Sequence, residues 1–396
     1  MNGPRLLVGS PVPAAHWTRR WQDRCTEAQV LLLLAATETA GVPGISAAGA
    51  TPESRRATAA ADAELLLLGP FGYRPHALPP LPAGVSPALI SHVVLEALAL
   101  TPLVVDLGCA MAPAIPHLRL PAPAGGEASR CLSTGEAMPL VRVEALLEQG
   151  RRWGRALVER RSPRPLLIAE CVPGGTSTAQ ALLCGLGVKA QGLVSGSLRR
   201  PAHRLKQALM EAGAQAASLG IGEAAVNDPL AVVAAMGDPM QPLAAALVLE
   251  AASADVPLML AGGSQMVAVL ALALALAPPD VRPRVVANAA LATTRWVAEE
   301  ADSDLVRLLQ HLDRRWQVEP LAFCSALRFS PPCHPALAAY EEGYVKEGVG
   351  AGGLALLWEL SGRDPEQLAE ACSAACAQLL PEARPPARER LRSIHG

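Results

Sequence analysis

Short runs of consecutive apolar residues, bounded by Gly and Pro, recur along the chain. They read QVLLLLAATETAG, AELLLLG, PLVVDLG, RPLLIAECVPGG, PLMLAGG, RVVANAA and PLAFCSAL. Each run has the length of a strand. Residues that are apolar in succession are typical of strands covered on both faces, as in a parallel sheet. These runs therefore predict the strands of a buried sheet.

Segments rich in Ala and Leu, of helical length, lie between these runs. They include SPALISHVVLEALAL, STAQALLCGLG, HRLKQALMEAGAQAASLG, PLAAALVLEAAS and QMVAVLALALALA. The alternation of strand and helix predicts an α/β fold, a doubly wound and mostly parallel sheet with helices on both faces. In such sheets ligands bind at the carboxyl ends of the strands.

The two ends of the chain differ from this core, and we expect them to form a smaller helical part. Trp17 and Trp21 lie in a helical pattern near the start, and a second helix is expected after Arg363-Asp364-Pro365. The predicted division is an N-terminal segment over 1–60, a Rossmann-like core over 61–330, a C-terminal segment with a candidate catalytic loop over 331–380, and a disordered Pro/Arg-rich tail over 381–396.

Composition narrows the possible partners. Apolar residues make up 51% of the 396 residues and aromatics only 3%, so Ala, Leu and Val must fill a sizeable core. The formal net charge is -2, whereas nucleic-acid binders usually carry a basic face. We therefore expect no nucleic-acid partner, while a small anionic ligand remains compatible with a locally positive site.

The cysteines and one long apolar stretch bear on location. Nine cysteines, an odd number, follow a start without an apolar signal region, which favours reduced thiols in a cytoplasmic protein. Cys324, Cys333 and His334 fit no standard zinc spacing, so no metal is expected.

The stretch Val256–Ala277 is interrupted by Gly-Gly-Ser-Gln, and the apolar run after that interruption is too short to span a membrane. It predicts a buried strand followed by a buried helix.

Two segments share one plan of strand, paired glycines, hydroxyl residue and helix. They are ECVPGGTSTAQALL and AGGSQMVAVLAL, with glycines at 174–175 and 262–263. Glycine lets the backbone approach a ligand closely, and the N–H groups of a helix N-terminus favour an anion. Thr176, Ser177 and Ser264 are candidate helix caps. Alternatively, the glycines serve turn geometry alone, since neither segment is a Walker loop or a GxGxxG motif.

Two further segments offer charged groups. The segment MGDPMQP has two interpretations. It is the start of a helix, with Asp238 as a candidate cap and Pro239 in the first turn, or it is a loop that contacts substrate at the end of a strand. Lys206 suits a phosphate contact, or it is an ordinary lysine on a helix surface.

In EEGYVKEGVGAGGLALLWEL, Glu347 lies in a glycine-rich loop before an apolar helix. Such a carboxylate is either a general base or a solvated side chain.

Taken together, these motifs resemble a known enzyme family. GVPGISAAGATPE, TAAADAELL, ECVPGGTSTA, MGDPMQP, LAGGSQMVAVLAL and VKEGVGAGG are similar in order and spacing to the nicotinate-nucleotide–dimethylbenzimidazole phosphoribosyltransferase family, in its cyanobacterial and archaeal branch. The resemblance covers about residues 30–360. It implies transfer of the phosphoribosyl group of nicotinate mononucleotide to a benzimidazole-type base, without a cofactor, in a homodimer.

The resemblance also implies roles for particular residues. Glu347 matches the catalytic glutamate of the family, although Lys346 stands where the family has glycine. ECVPGGTSTA resembles the phosphate-binding segment, with Glu170 at its acidic position. The residues implied in substrate binding are Glu170, Gly174, Gly175, Thr176, Ser177, Lys206, Asp238, Gly262, Gly263, Gln265, Gly348 and Gly350.

The chemistry agrees with these residues. Nicotinate on a ribosyl C1′ is a pyridinium and leaves readily, while the incoming azole becomes a good nucleophile when a carboxylate removes its proton. The 5′-phosphate suits a helix N-terminus. Two alternatives remain open from the sequence, namely the same transfer with adenine as acceptor, and a nucleotide-binding homologue without turnover.

Overall fold

One eight-stranded sheet organises the protein, whose computed structural model describes residues 4–158, 164–222 and 228–380. The strands are β1 (Arg5–Val8), β2 (Gln29–Leu34), β3 (Leu103–Asp106), β4 (Leu118–Arg119), β5 (Leu166–Cys171), β6 (Leu258–Ala261), β7 (Ala289–Thr293) and β8 (Leu321–Cys324). Their order is β1-β8-β7-β6-β5-β2-β3-β4. All neighbours run parallel except β1, which is antiparallel to β8. The predicted α/β fold is confirmed.

Helices cover both faces of this sheet. They are α1 (Pro11–Gln22), α2 (Pro52–Arg55), α3 (Thr58–Leu68), α4 (Ala88–Ala97), α5 (Leu140–Val158), α6 (Gly175–Gly185), α7 (His203–Ala216), α8 (Pro229–Met236), α9 (Met240–Ser253), α10 (Ser264–Leu276), α11 (Arg282–Asn288), α12 (Arg295–Ala298), α13 (Leu305–Trp316), α14 (Pro335–Glu341), α15 (Ala351–Leu360) and α16 (Pro365–Leu379). Short 3-10 turns occupy Cys25–Glu27, Glu38–Gly41 and Leu132–Thr134.

The consecutive apolar residues of the strands supply two separate cores. In β2, Leu31 and Leu33 belong to one core, while Leu32 and Leu34 belong to the other. Side chains of a strand alternate between faces, so an uninterrupted apolar run must be buried on both. The first core takes its helical residues mainly from α5, α6, α9 and α10, and the second from α1, α4, α15 and α16.

The two ends of the chain meet on the second face. Trp17 of α1 is fully buried, and its ring stacks on Phe323 of β8 with centroids 5.1 Å apart. Its Nε1 donates to the carbonyl of Asn288 at 3.0 Å. The predicted C-terminal helix begins at Pro365, and the Asp364 side chain caps it. However, the first 60 residues also contribute β1 and β2 to the sheet. A boundary at residue 60 therefore does not separate two cores, and the predicted tail 381–396 lies outside the described residues.

Two predicted strands were wrong. AELLLLG forms the end of helix α3, because a short run of consecutive apolar residues looks the same in a helix as in a strand. In RVVANAA, residues 284–288 belong to α11, which has a proline in its first turn, and β7 starts at Ala289. By contrast, Val256–Ala277 forms β6 followed by α10, as predicted. No helix in the described ranges is long and apolar enough to cross a membrane.

Candidate active site

A cavity of about 290 Å³ opens where β5 and β6 end. Its walls come from residues 46–48, 78–87, 170–176, 195–197, 263–265 and 344–348, with Thr58, Asp62, Val297 and Leu380. The 78–87 stretch, LPPLPAGVSP, gives an apolar wall rich in proline. The stretches 174–176 and 195–197 contribute only Gly, Ser and Thr. Such a cavity suits a ligand with an apolar ring at one end and a polar group at the other.

The carboxylate of Glu347 is held by four donors. Its Oε2 accepts from Thr293 Oγ1 at 3.1 Å and from the backbone N–H of Thr294 at 2.8 Å. Its Oε1 accepts from the N–H groups of Gly348 and Gly352, both at 3.1 Å. Burial raises the pKa of the Glu347 carboxyl above its ordinary value, while the bonds from Gly352, Gly348 and Thr294 act in the opposite direction. The group is fixed in place and its pKa is raised, which suits a general base.

The loop that carries Glu347 is held in a rarely adopted backbone conformation. Val345 and Lys346 have φ values of 64° and 65°, and Val349 has 53°. A β-branched residue at positive φ is a steric outlier, and such strain persists only where neighbours fix it. Lys346 therefore adopts the conformation that the family's glycine would favour. Its ammonium donates to the Leu198 carbonyl at 2.6 Å and to Glu300 at 2.5 Å, which pins the loop.

Glu170, at the end of β5, lies beside this loop. Its backbone carbonyl accepts from the N–H of Val349 at 2.9 Å, and its Oε2 accepts from the N–H of Val172 at 3.0 Å. Burial, assisted by the negative charges of Glu347 and Asp238, raises the pKa of Glu170 to about 8. At neutral pH the carboxyl of Glu170 is thus mostly protonated, and it can donate a hydrogen bond.

The two glycine turns enter their helices as predicted, but the hydroxyl residues do not cap them. Gly174 and Gly263 are the N-caps of α6 and α10, and neither helix has a side-chain cap. Thr176 and Ser264 lie within the first turns, and Ser264 Oγ accepts from the N–H of Ser195 at 3.0 Å. The capping prediction was wrong because α6 starts at Gly175, before its hydroxyl residues, and α10 starts at Ser264 itself, so the N-cap position in both helices is a glycine. The N-terminal turn of α6 is left facing the cavity.

Close packing explains the glycines at the first turn. Gly174 has φ 82°, and a Cβ there would lie 2.9 Å from the backbone nitrogen of Ala40. A Cβ on Gly175 would collide with Oε1 of Gln265. A side chain at Gly174 would displace the backbone of Ala40, and one at Gly175 would displace the Gln265 side chain in the cavity wall.

Asp238 and Lys206 lie behind the wall. Asp238 is fully buried, and its carboxylate accepts from Thr178 Oγ1 at 2.5 Å and from the N–H of Met240 at 3.1 Å. Pro239 is the N-cap of α9 and not a first-turn residue, so that prediction was wrong. Lys206 is 1% exposed, which excludes the surface-lysine alternative, and its Nζ donates to the carbonyl of Ser195 at 2.6 Å. Burial lowers the pKa of Lys206 to about 7.

The predicted site residues therefore divide into two groups. Those that line the cavity are Glu170, Gly174, Gly175, Thr176, Gly263, Gln265, Glu347 and Gly348. The remaining five, which do not line it, are Ser177, Lys206, Asp238, Gly262 and Gly350. Gly350 is nevertheless the N-cap of α15, where a Cβ would lie 2.6 Å from the Cβ of Ala169.

Sequence reasoning missed several residues of this site. Asp62 and Ser86 line the cavity, and Thr293 and Thr294 hold the Glu347 carboxylate. TAAADAELL stood out only as a family motif, which gave its aspartate no role. The proline-rich stretch 78–87 was the available signal for the apolar wall, because such a sequence cannot continue a helix or a central strand.

The cysteines remain free, and all but Cys131 and Cys333 are buried. Among the described residues there is no group of three or more His, Cys, Asp or Glu side chains able to hold a metal ion.

Comparisons with known proteins agree with this description. The family model described as phosphoribosyltransferase matches residues 92–292. A UPF0284 protein of Prochlorococcus marinus strain MIT 9313 is 52% identical over 371 residues, covering 92% of this chain and 90% of the relative. A UPF0284 protein of Parasynechococcus marenigrum strain WH8102 is 50% identical over 368 residues, with 92% and 90% covered.

Two solved structures share the fold. The crystal structure of CobT from Thermus thermophilus superposes with a TM-score of 0.54 at 18% identity, covering 96% of each chain. A nicotinate-nucleotide-dimethylbenzimidazole phosphoribosyltransferase from the same organism gives a TM-score of 0.50 at 17% identity, covering 95% of this chain and 100% of the other.

The fold and the matched region define a phosphoribosyltransferase of the α/β class. The chain belongs to the nicotinate-nucleotide–dimethylbenzimidazole phosphoribosyltransferase family, as its motifs indicated, and its similar relatives are the UPF0284 proteins of cyanobacteria.

Proposed function

We propose that this protein transfers the phosphoribosyl group of nicotinate mononucleotide to a benzimidazole-type base, giving an α-ribazole phosphate and nicotinate. One observation carries the proposal: Glu347 and the first turn of α6 lie in the wall of the same cavity. A proton acceptor and an anion site are the two groups that this transfer needs from a protein. The name of the similar solved transferase supports this choice of substrates.

Glu347 acts as the general base in the proposed reaction. The azole nitrogen forms a bond to C1′ as the C1′–N bond to nicotinate breaks, and the electron pair of that bond neutralises the pyridinium. The azole N–H proton passes to Glu347, whose carboxylate also stabilises positive charge that develops at C1′. Attack from the face opposite nicotinate converts the β linkage to α.

The first turn of α6 binds the 5′-phosphate in this proposal. Thr176 and the backbone of Gly174 and Gly175 lie at the helix N-terminus, where N–H groups and the helix dipole favour an anion. Lys206 and Asp238 support this part of the site from behind the cavity wall. Lys206 holds the carbonyl of Ser195, and Asp238 holds Thr178 in the second turn of α6.

Glu170 has a different task because its pKa is about 8. In its protonated form it adds no charge beside Glu347 and the anionic substrate. It also supplies an O–H donor for an oxygen of the bound nucleotide.

The test is direct transfer by the purified full-length chain. The protein is incubated with nicotinate mononucleotide and a panel of bases, and α-linked ribotides are sought by mass spectrometry. Formation of nicotinate and an α-ribotide in equal amounts supports the proposal. Binding of nicotinate mononucleotide without product from any base would instead favour a homologue without turnover. The homodimer and the cytoplasmic location stay predictions, the first of which light scattering would check.

A further inference from the structure

A second cavity, of about 780 Å³, adjoins the first and has no part in the proposed mechanism. Four residues line both cavities, namely Ala47, Pro82, Tyr344 and Lys346. The rest of the second wall comes from residues 198–200, 295–296, 299–302 and 340–343. Because the two walls share residues, a molecule in the second cavity lies directly beside the proposed active site.

The first cavity offers little positive charge to the substrate proposed for it. Nicotinate mononucleotide carries a phosphate and a carboxylate. The acidic and basic side chains in the described wall are the carboxyls of Asp62, Glu170 and Glu347 and the ammonium of Lys346. That ammonium is neutralised by Glu300 at 2.5 Å. An anionic substrate is attracted to a locally positive site, so a cation from outside this wall would assist its binding.

Arg199, in the wall of the second cavity, is such a cation. Its side chain is exposed, and its Cζ lies over the ring of Tyr344, 5.9 Å from the ring centroid. This distance is within the range of a cation–π contact, which orients the guanidinium. Among the described residues, Arg199 forms no ion pair and its side chain donates no hydrogen bond. Its N–H groups are therefore available to a ligand.

The other arginines of this wall already have carboxylate partners. Arg295 Nε donates to Glu299 at 2.7 Å. Arg200 Nε lies 3.7 Å from a carboxylate oxygen of Asp302. Within the described part of the second wall, Arg199 is thus the arginine without a counter-ion.

Two contacts place Arg199 beside the loop that carries Glu347. The carbonyl of Leu198, the preceding residue, accepts from the ammonium of Lys346 at 2.6 Å. Tyr344, under the guanidinium, belongs to the walls of both cavities. The guanidinium therefore stands at the boundary between the two cavities.

We propose that Arg199 is a substrate-binding residue that pairs with an oxyanion of the nucleotide at this boundary. The inference rests on the proposed function and deepens it, because it makes the second cavity the route by which the anionic substrate enters. A guanidinium binds a phosphate or a carboxylate through two parallel hydrogen bonds, and nicotinate mononucleotide has one group of each kind. Arg199 adds affinity for the substrate and leaves the proton transfer to Glu347.

Arg199→Gln removes the charge and keeps a polar side chain. We expect its KM for nicotinate mononucleotide to rise about fivefold, as for the loss of one exposed ion pair, with kcat within about twofold of the wild type. The rise should shrink in about 1 M salt, because salt screens exposed charges. Arg199→Lys, which keeps the charge, should recover most of the lost affinity.

Two analogues identify the oxyanion. Nicotinamide mononucleotide keeps the phosphate and lacks the carboxylate, whereas nicotinate riboside keeps the carboxylate and lacks the phosphate. Each is measured as a competitive inhibitor against nicotinate mononucleotide. The analogue whose inhibition constant rises in Arg199→Gln carries the group that pairs with Arg199. Unchanged constants for both analogues would overturn the proposal.

The control is Arg204→Gln, which removes an exposed arginine of α7 outside both cavities. Its KM should equal that of the wild type. A wild-type KM in Arg199→Gln, or an equal rise in both variants, would overturn the role of Arg199 and leave the transferase function standing. No product from the wild type with any base would overturn the proposed function instead. Calorimetry with nicotinate mononucleotide then decides the role of Arg199, since the proposal requires weaker binding by Arg199→Gln than by the wild type.

Discussion

The Thr293 hydroxyl donates to Oε2 of Glu347 at 3.1 Å, from the last residue of β7. The other three donors to this carboxylate are backbone N–H groups, which cannot turn away. Glu347 must free an acceptor position to take a proton. The hydroxyl of Thr293 can rotate and then accept a hydrogen bond from the protonated Glu347. Its rotation therefore frees the acceptor position at which Glu347 takes up the proton.

Thr293→Val tests that link, since it keeps the shape and removes the hydroxyl. Loss of a donor to the carboxylate raises the pKa of Glu347 further. A higher pKa means that less of the base is ionised at low pH, so the acid limb of the kcat/KM profile should move to higher pH. We expect kcat to fall about tenfold, the worth of one hydrogen bond to a charged group.

Thr293→Ser is the matched control, because it keeps the hydroxyl. It should preserve the wild-type profile. If Thr293→Val and the wild type had the same kcat/KM profile against pH, the hydroxyl would have no part in proton transfer.

Glu170→Gln tests the role of a neutral carboxyl. With a pKa of about 8, Glu170 ionises in the wild type as the pH rises through 8, and the new charge repels Glu347 and the anionic substrate. Activity should therefore decline on the alkaline side. Gln stays neutral, so we expect that decline to move to higher pH in kcat/KM measured from about pH 6 to pH 10.

A stability titration checks the same group independently of activity. The pKa of Glu170 is raised on folding from 4.5 to about 8, so the wild type loses stability as the pH rises through this interval. Glu170→Gln removes that loss. Its melting temperature relative to the wild type should rise steadily from about pH 5 to pH 8, and a constant difference would refute the raised pKa.

Lys346→Gly and Lys346→Ala together measure the strain in the loop. Both remove the ammonium, whose partner Glu300 is nearly buried, and both should lose about 3 kcal/mol of stability or more. The two variants differ in the cost of a φ of 65° at this position, a conformation that glycine adopts readily and alanine does not. We expect the Gly variant to be more stable than the Ala variant by about 1 kcal/mol in urea unfolding. An Ala variant of equal stability would mean that the loop stores no such strain.

Gly174→Ala tests the close approach at the first turn of α6. The added Cβ would lie 2.9 Å from the backbone nitrogen of Ala40, and backbone cannot yield as a side-chain end can. We expect KM for nicotinate mononucleotide to rise at least tenfold. Gly362→Ala is the control, since it has nearly the same φ, 83°, with nothing within 4 Å. If both variants raised KM alike, backbone conformation and not packing at the site would be responsible.

Most strands of the sheet could be predicted from the apolar pattern of the sequence alone. Consecutive apolar residues bounded by glycine or proline located β2, β3, β5, β6 and β8, because strands buried on both faces need such runs. The prediction of a strand at AELLLLG was wrong, since a short apolar run has the same appearance in a helix. The edge strand β1 was not predicted; its residues are exposed or only half-buried, unlike those of the central strands.

The site was less accessible to sequence reasoning. Glycine turns marked where a ligand would approach, and Glu347 stood out because it lies among glycines. Asp62, Ser86 and Thr293 gave no such signal, because they come from segments far apart in the chain and meet only through the packing of α3, the proline-rich stretch and β7. Helical and strand periodicity describe neighbours along the chain and carry no information on these contacts.

The central claim is that Glu347 takes a proton from the acceptor base. Its most direct test compares wild type and Glu347→Gln in single-turnover transfer from nicotinate mononucleotide, with binding of that substrate measured by calorimetry. We predict that Glu347→Gln binds nicotinate mononucleotide within a few-fold of the wild type and loses transfer by at least a hundredfold, as expected for removal of a general base. Transfer at the wild-type rate by Glu347→Gln would contradict the account.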